Sequence, residues 1–110
     1  MPPDVRRPRK EVDVDLLVFV ERYVVNLLKW DLVTYFAQNP DNESTAQDVA
    51  RAIGRSPYVV RSELGDLALL GVLERSSSRG EPGYNLTSDP YLRGLAFKFA
   101  DYMATSDPML

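Results

Sequence analysis

Two short amphipathic stretches separated by Gly54-Arg-Ser-Pro57 constrain this chain more than any other feature of it. In the first, Val49, Ala50 and Ile53 fall on one face at helical spacing. In the second, Val60, Leu64 and Leu67 recur at i, i+4 and i+7. Gly54 ends the first helix, because Gly accepts the left-handed conformation that a helix end often needs. Ser56 is a good N-cap for the second helix, and Pro57 suits its first helical position. Residues 45–71 therefore predict a helix-turn-helix pattern. The flanking sequence decides whether such a pair reads a partner or only builds a core.

Downstream, Gly71 closes the second helix and Val72-Leu-Glu-Arg75 alternates like a short strand. Ser76 to Gly83 is polar and turn-rich, and Tyr84-Asn-Leu-Thr87 alternates again. The expectation is a β-hairpin over 72–87. A last helix over 89–105 starts at Ser88 or Asp89 as cap. It carries Tyr91, Leu92, Leu95, Ala96, Phe99, Tyr102 and Met103 as a broad apolar stripe, with Phe97 off it. Such a helix packs on something large, and the N-terminal helix of its own chain or of a partner is the candidate.

Upstream, helical character begins near Asp13 or Asp15 and runs to about Gln38, before Asn39-Pro40. Leu16, Leu17, Phe19, Val20, Tyr23, Val24, Leu27 and Leu28 occupy more than one narrow face, as do Trp30, Leu32, Val33, Tyr35 and Phe36. Either the segment bends into two helices near Asn26, or its first half packs against another chain. A strand remains open for 16–20, although the spacing favours helix. Asn39 to Ser44 reads as a loop, with Ser44 or Thr45 capping the next helix and Gln47 or Asp48 near the capping-box position. Residues 1–12 are Pro-rich, charged and without periodicity, and read as a flexible basic arm.

A length of 110 residues with 45% hydrophobic content fits one folded domain over 13–110. The fold class expected is mainly α with a small β-hairpin. No apolar run approaches a membrane-spanning length, no signal-peptide pattern opens the chain, and cysteine is absent, so a cytoplasmic site is the natural reading. Histidine is absent too. Thiolate and imidazole metal sites, cysteine nucleophiles and Ser-His-Asp triads are therefore excluded, and no Gly-rich phosphate loop appears. Neither an enzyme nor a cofactor is expected.

The net charge of −3 is awkward for a nucleic-acid binder. Its distribution is less so. Residues 1–12 hold Arg6, Arg7, Arg9 and Lys10 against Asp4 and Glu11, a balance of +2. Residues 51–79 hold Arg51, Arg55, Arg61, Arg75 and Arg79 against Glu63, Asp66 and Glu74, again +2.

The order helix, helix-turn-helix, hairpin, helix, with Val60, Leu64, Leu67 and then Gly71-Val-Leu-Glu-Arg75, resembles winged helix-turn-helix transcriptional regulators of the broad ArsR/MarR kind. The resemblance implies that the helix after the turn enters the major groove of double-stranded DNA and that the hairpin is a wing. It implies that Ser56, Tyr58, Arg61 and Ser62 face DNA, with Arg61 the base-reading candidate. Arg51 and Arg55 would lie near phosphates, and Arg79 would reach a phosphate or the minor groove from the wing tip. A homodimer through residues 14–28 and 89–105 is expected, and a small apolar effector between the terminal helices and Trp30 is a further possibility. The metal-sensing Cys and His residues of some ArsR-like proteins are missing.

Three residues of the second helix stand against this picture. Glu63 and Asp66 would oppose phosphates; Glu63 could read a cytosine amino group, but pairing with Arg55 or Arg61, or simple solvation, is favoured. Gly65 suggests either a close approach of another backbone or a glycine that is simply tolerated there. These carboxylates and the acidic total favour the alternative, a winged-helix protein-interaction module in a larger assembly with little or no DNA binding of its own.

Overall fold

The long apolar run of residues 14–38 is divided at Val24–Asn26. The structure, a computed structural model, describes residues 13–77 and 80–105. In it α1 covers Val14–Tyr23 and α2 covers Leu27–Gln38. Asp13 caps α1 by accepting from the Leu16 amide at 3.2 Å, and Asn26 caps α2 by accepting from the Lys29 amide at 2.8 Å. Trp30 clips the break, donating its indole N–H to the Val24 carbonyl at 3.0 Å. That satisfies a carbonyl left over at a helix end. No strand forms over 16–20: the 3.6-residue spacing there prevails over the β-branched run.

The remaining elements follow in order: β1 Ser44–Thr45, α3 Ala46–Ile53, α4 Pro57–Leu69, β2 Leu73–Ser76, β3 Gly83–Leu86 and α5 Pro90–Thr105. Thr45 caps α3 through a reciprocal capping box. Its hydroxyl accepts from the Asp48 amide at 3.2 Å, and the Asp48 carboxylate accepts from the Thr45 amide at 3.1 Å. Gly54 follows with φ 74°, the left-handed conformation expected of it, and Ser56 caps α4 with Pro57 at its first position. Asp89 caps α5, accepting from the Leu92 amide at 3.0 Å.

The sheet is antiparallel with strand order β1-β3-β2. In the hairpin Leu73 lies opposite Leu86 and Ser76 opposite Gly83. On the other edge Ser44 pairs with Tyr84 and Thr45 with Gly83. The expected loop through Ser44 thus ends in a strand. Ser44 is buried there and shares a hydrogen bond with the Tyr35 hydroxyl at 2.9 Å.

One core joins all five helices to the sheet. Phe19, Val24, Leu32, Val33, Phe36, Val49, Val60, Leu64, Leu67, Val72, Leu86 and Phe99 are its largest fully buried side chains. The last helix rests on its own chain's α1 and α2. Trp30 meets Phe99 edge-on with ring centroids 5.8 Å apart, and Phe19 lies 6.4 Å from the same ring. Lys98 donates to Asp13 at 2.8 Å and ties α5 to the cap of α1. Gly65 does not mark a close backbone approach: a Cβ added there meets nothing within 4 Å. Among the described residues no helix is long and apolar enough to cross a membrane. The arm of residues 1–12 and Arg79 lie outside the described residues.

Candidate nucleic-acid interface

Helix α4 has two faces because its apolar residues keep helical spacing. Val60, Leu64 and Leu67 are fully buried against the core. The opposite face presents Tyr58, Arg61 and Ser62, three exposed side chains that are neighbours at i, i+3 and i+4. Tyr58 is 80% exposed, so its ring does not serve this chain's core. Ser56 accepts from the Tyr58 amide at 3.3 Å, which occupies an oxygen lone pair and leaves its O–H free to donate.

Arg51 and Arg55 flank the turn. With Gln47, Ala50 and Pro57 they line a groove of about 310 Å³. Both guanidinium groups are exposed and each has a carboxylate neighbour. Arg51 lies 3.8 Å from Asp48, and Arg55 lies 3.4 Å from Asp31 on α2. Ser56, Arg51 and Arg55 are exposed at the turn, and Tyr58, Arg61 and Ser62 on the face of α4 that turns away from the core. Arg79, the expected wing-tip contact, is not described. Arg75, on β2, is exposed.

Glu63 pairs with neither Arg55 nor Arg61, nor is it left to solvent. Its partner is Lys29 of α2, whose ammonium donates to the Glu63 carboxylate and lies 3.5 Å from Asp66. The reason is the turn of α4: Glu63 falls on the flank that faces α2, beside Val60 and Leu67, and not on the flank of Ser62. Lys29 is only 5% exposed. A buried ammonium without a partner is costly, so the contact serves both charges. Lys29 thus answers Glu63 from the inner side and also reaches Asp66, whose side chain stays 56% exposed one turn after Ser62. Lys29 was missed as a site residue. The signal for it was a lone cation on the α2 face that also carries Leu32, Val33 and Phe36, at i+3, i+4 and i+7.

The hairpin is fastened at its base. The Ser88 amide and hydroxyl donate to the Glu74 carboxylate at 2.8 and 2.7 Å, and they hold its pKa below the usual carboxylate value. Glu74 is thereby tied towards α5. A separate cleft of about 480 Å³ is lined mainly by Asp31, Thr34, Tyr35, Gln38, Ile53 and Met103. Trp30 is not among its lining residues; it packs on Phe99 instead.

No family model matches the sequence, and no curated protein matches it. Solved structures do. A homodimeric winged helix-turn-helix DNA-binding domain from Mycobacterium bovis, a possible ArsR-family transcriptional regulator, is 19% identical. The match covers 86% of this chain and 81% of that one, with a TM-score of 0.61. The antimony-specific transcriptional repressor AntR is 18% identical, with 96% of each chain covered and a TM-score of 0.62. MepR of S. aureus, in complex with DNA, is 17% identical over 87% of this chain and 81% of that one, at 0.61. At these identities the likeness is one of fold: this chain has a winged helix-turn-helix with flanking helices, mainly α with a small antiparallel sheet.

Proposed function

We propose that this chain is a DNA-binding transcriptional regulator that inserts α4 into the major groove, as a homodimer. The observation that carries the reading is the outward face of α4. Tyr58, Arg61 and Ser62 stand exposed on α4, with Arg51 and Arg55 exposed at the turn before it, while Lys29 draws Glu63 towards α2. Arg61 reads a base edge, since a guanidinium can give two hydrogen bonds to guanine. Arg51, Arg55 and Ser56 hold phosphates beside the turn, and Arg79 does so from the wing. The solved regulators of the same fold support this reading, MepR having been captured with DNA.

The pairing surface proposed is residues 14–28 with 89–105. Val14, Leu17, Val18, Val25 and Leu27 are exposed in the first segment, and Tyr91, Phe97 and Tyr102 in the second. A second copy would cover them, as apolar residues in such number need. Two-fold symmetry would then set the recognition helices about 34 Å apart, one turn of DNA. The homodimeric domain from Mycobacterium bovis supports this.

A mobility-shift titration on duplex DNA, run beside a solution mass, tests both halves. Salt-dependent binding by a dimer is expected, with Arg61→Ala weakening it by about 1–3 kcal/mol. A monomer that retards no duplex at low salt would refute the reading. One observation favours the protein-interaction alternative: Tyr58, Val59 and Leu69 are exposed on α4. If that reading holds, Tyr58→Ala abolishes capture of a protein partner while Arg61→Ala leaves it intact.

A further inference from the structure

Arg55 and Arg51 differ in what restrains them, and the difference has a consequence for binding strength. The carboxylate beside Arg51 belongs to Asp48, which is committed to the α3 capping box. The carboxylate beside Arg55 belongs to Asp31, which caps no helix, and Arg55 is its one charged partner among the described residues. The contact joins α2 to the turn between α3 and α4. Both side chains are close to half exposed, 41% for Arg55 and 49% for Asp31, so the pair is weakly held and open to exchange.

We infer that Asp31 is an affinity-setting residue: it holds Arg55 back from DNA, and a backbone phosphate must displace it. The inference rests on the DNA-binding reading above. Carboxylate and phosphate compete for the same planar donor fork. While Asp31 neutralises Arg55, the groove shared with Arg51 and Gln47 presents one net cation fewer. Bound DNA also meets the Asp31 charge nearby, which repels it. Among the described residues no cap, core contact or strand depends on the Asp31 carboxylate, so its cost to binding is not a by-product of folding.

The test uses the full chain as wild type, Asp31→Asn, Arg55→Gln and the double variant. Each is titrated with one duplex chosen by selection, between 50 and 200 mM salt, a window in which phosphate contacts are strongly screened. Thermal unfolding verifies that each variant is folded. Asp31→Asn is expected to bind roughly three- to tenfold tighter at low salt. Its log-affinity against log-salt slope should stay close to that of wild type, because Arg55 meets a phosphate in both complexes. In the Arg55→Gln background the same change should add little. Weaker binding by Asp31→Asn would overturn the inference, since Asp31 would then be orienting Arg55 for DNA. Full tightening without Arg55 would overturn it too, as would equal binding by wild type and Asp31→Asn. If none of the four proteins binds any duplex, the DNA-binding reading fails and this inference falls with it. Binding by Asp31→Asn alone would support both.

Discussion

Lys29 carries the most consequential contact in the molecule for a single side chain. It sits on the buried side of α2, and its ammonium is matched by Glu63 and Asp66 of α4. Removing one partner of a buried pair leaves the other charge stranded, whereas removing both can be nearly neutral. Lys29→Met should therefore cost about 3–5 kcal/mol in urea denaturation, and Lys29→Met with Glu63→Leu should recover most of it. A double variant no more stable than the single one would mean that packing, not charge, holds this site. Gly65 makes the opposite case. Open space surrounds it in the middle of α4, so Gly65→Ala should stabilise by about 0.5–1 kcal/mol, read in the same titration. The need for a partner at Lys29 was legible, because a cation shared a helical face with Leu32, Val33 and Phe36. Which carboxylate would answer was not: Glu63 lies 34 positions away, and periodicity says nothing about how α2 and α4 meet.

Helices were legible where spacing and caps agreed. Gly54, Ser56 and Pro57 marked the turn before α4, and Asn26 marked the break that divides α1 from α2. β1 was not legible, because two residues cannot alternate, and Thr45 already carried the signal of a helix cap. It exists through pairing with β3, a long-range contact. The α1–α5 tie has its own signature in pH. Lys98, hydrogen-bonded to Asp13, lowers the Asp13 carboxylate below its usual value, with the Leu16 amide adding to the effect. A carboxylate lowered by folding contributes stability above its unfolded pKa and loses it as pH falls through the folded one. Asp13 should therefore contribute fully above about pH 5 and lose its contribution progressively below the unfolded carboxylate pKa of about 4. Asp13→Asn keeps a capping side chain but removes the charge. Its unfolding midpoint should lie below wild type near neutrality, and the two curves should converge under acid. Parallel curves from pH 6 to 2 would count against the tie.

At the scale of the whole molecule, the net charge of −3 and the proposed role are reconciled by placement. Of the acids nearest the turn and α4, Glu63 faces Lys29, Asp31 meets Arg55 and Asp48 serves a cap, while Asp66 reaches Lys29 from an exposed position at the edge of the outer face. Arg61, Tyr58 and Ser62 are left on the outer face. The apolar side chains of α1 and α5 lie exposed elsewhere, available to a second copy of the chain. The most direct measurement is selection of bound duplexes from a random pool at low salt, with wild type and Arg61→Ala side by side. Wild type should enrich a two-fold symmetric sequence with half-sites about one helical turn apart, and Arg61→Ala should lose its preference at one position in each half. A pool left unenriched by wild type, or a variant that selects the same sequence at every position, would contradict a reading helix at α4.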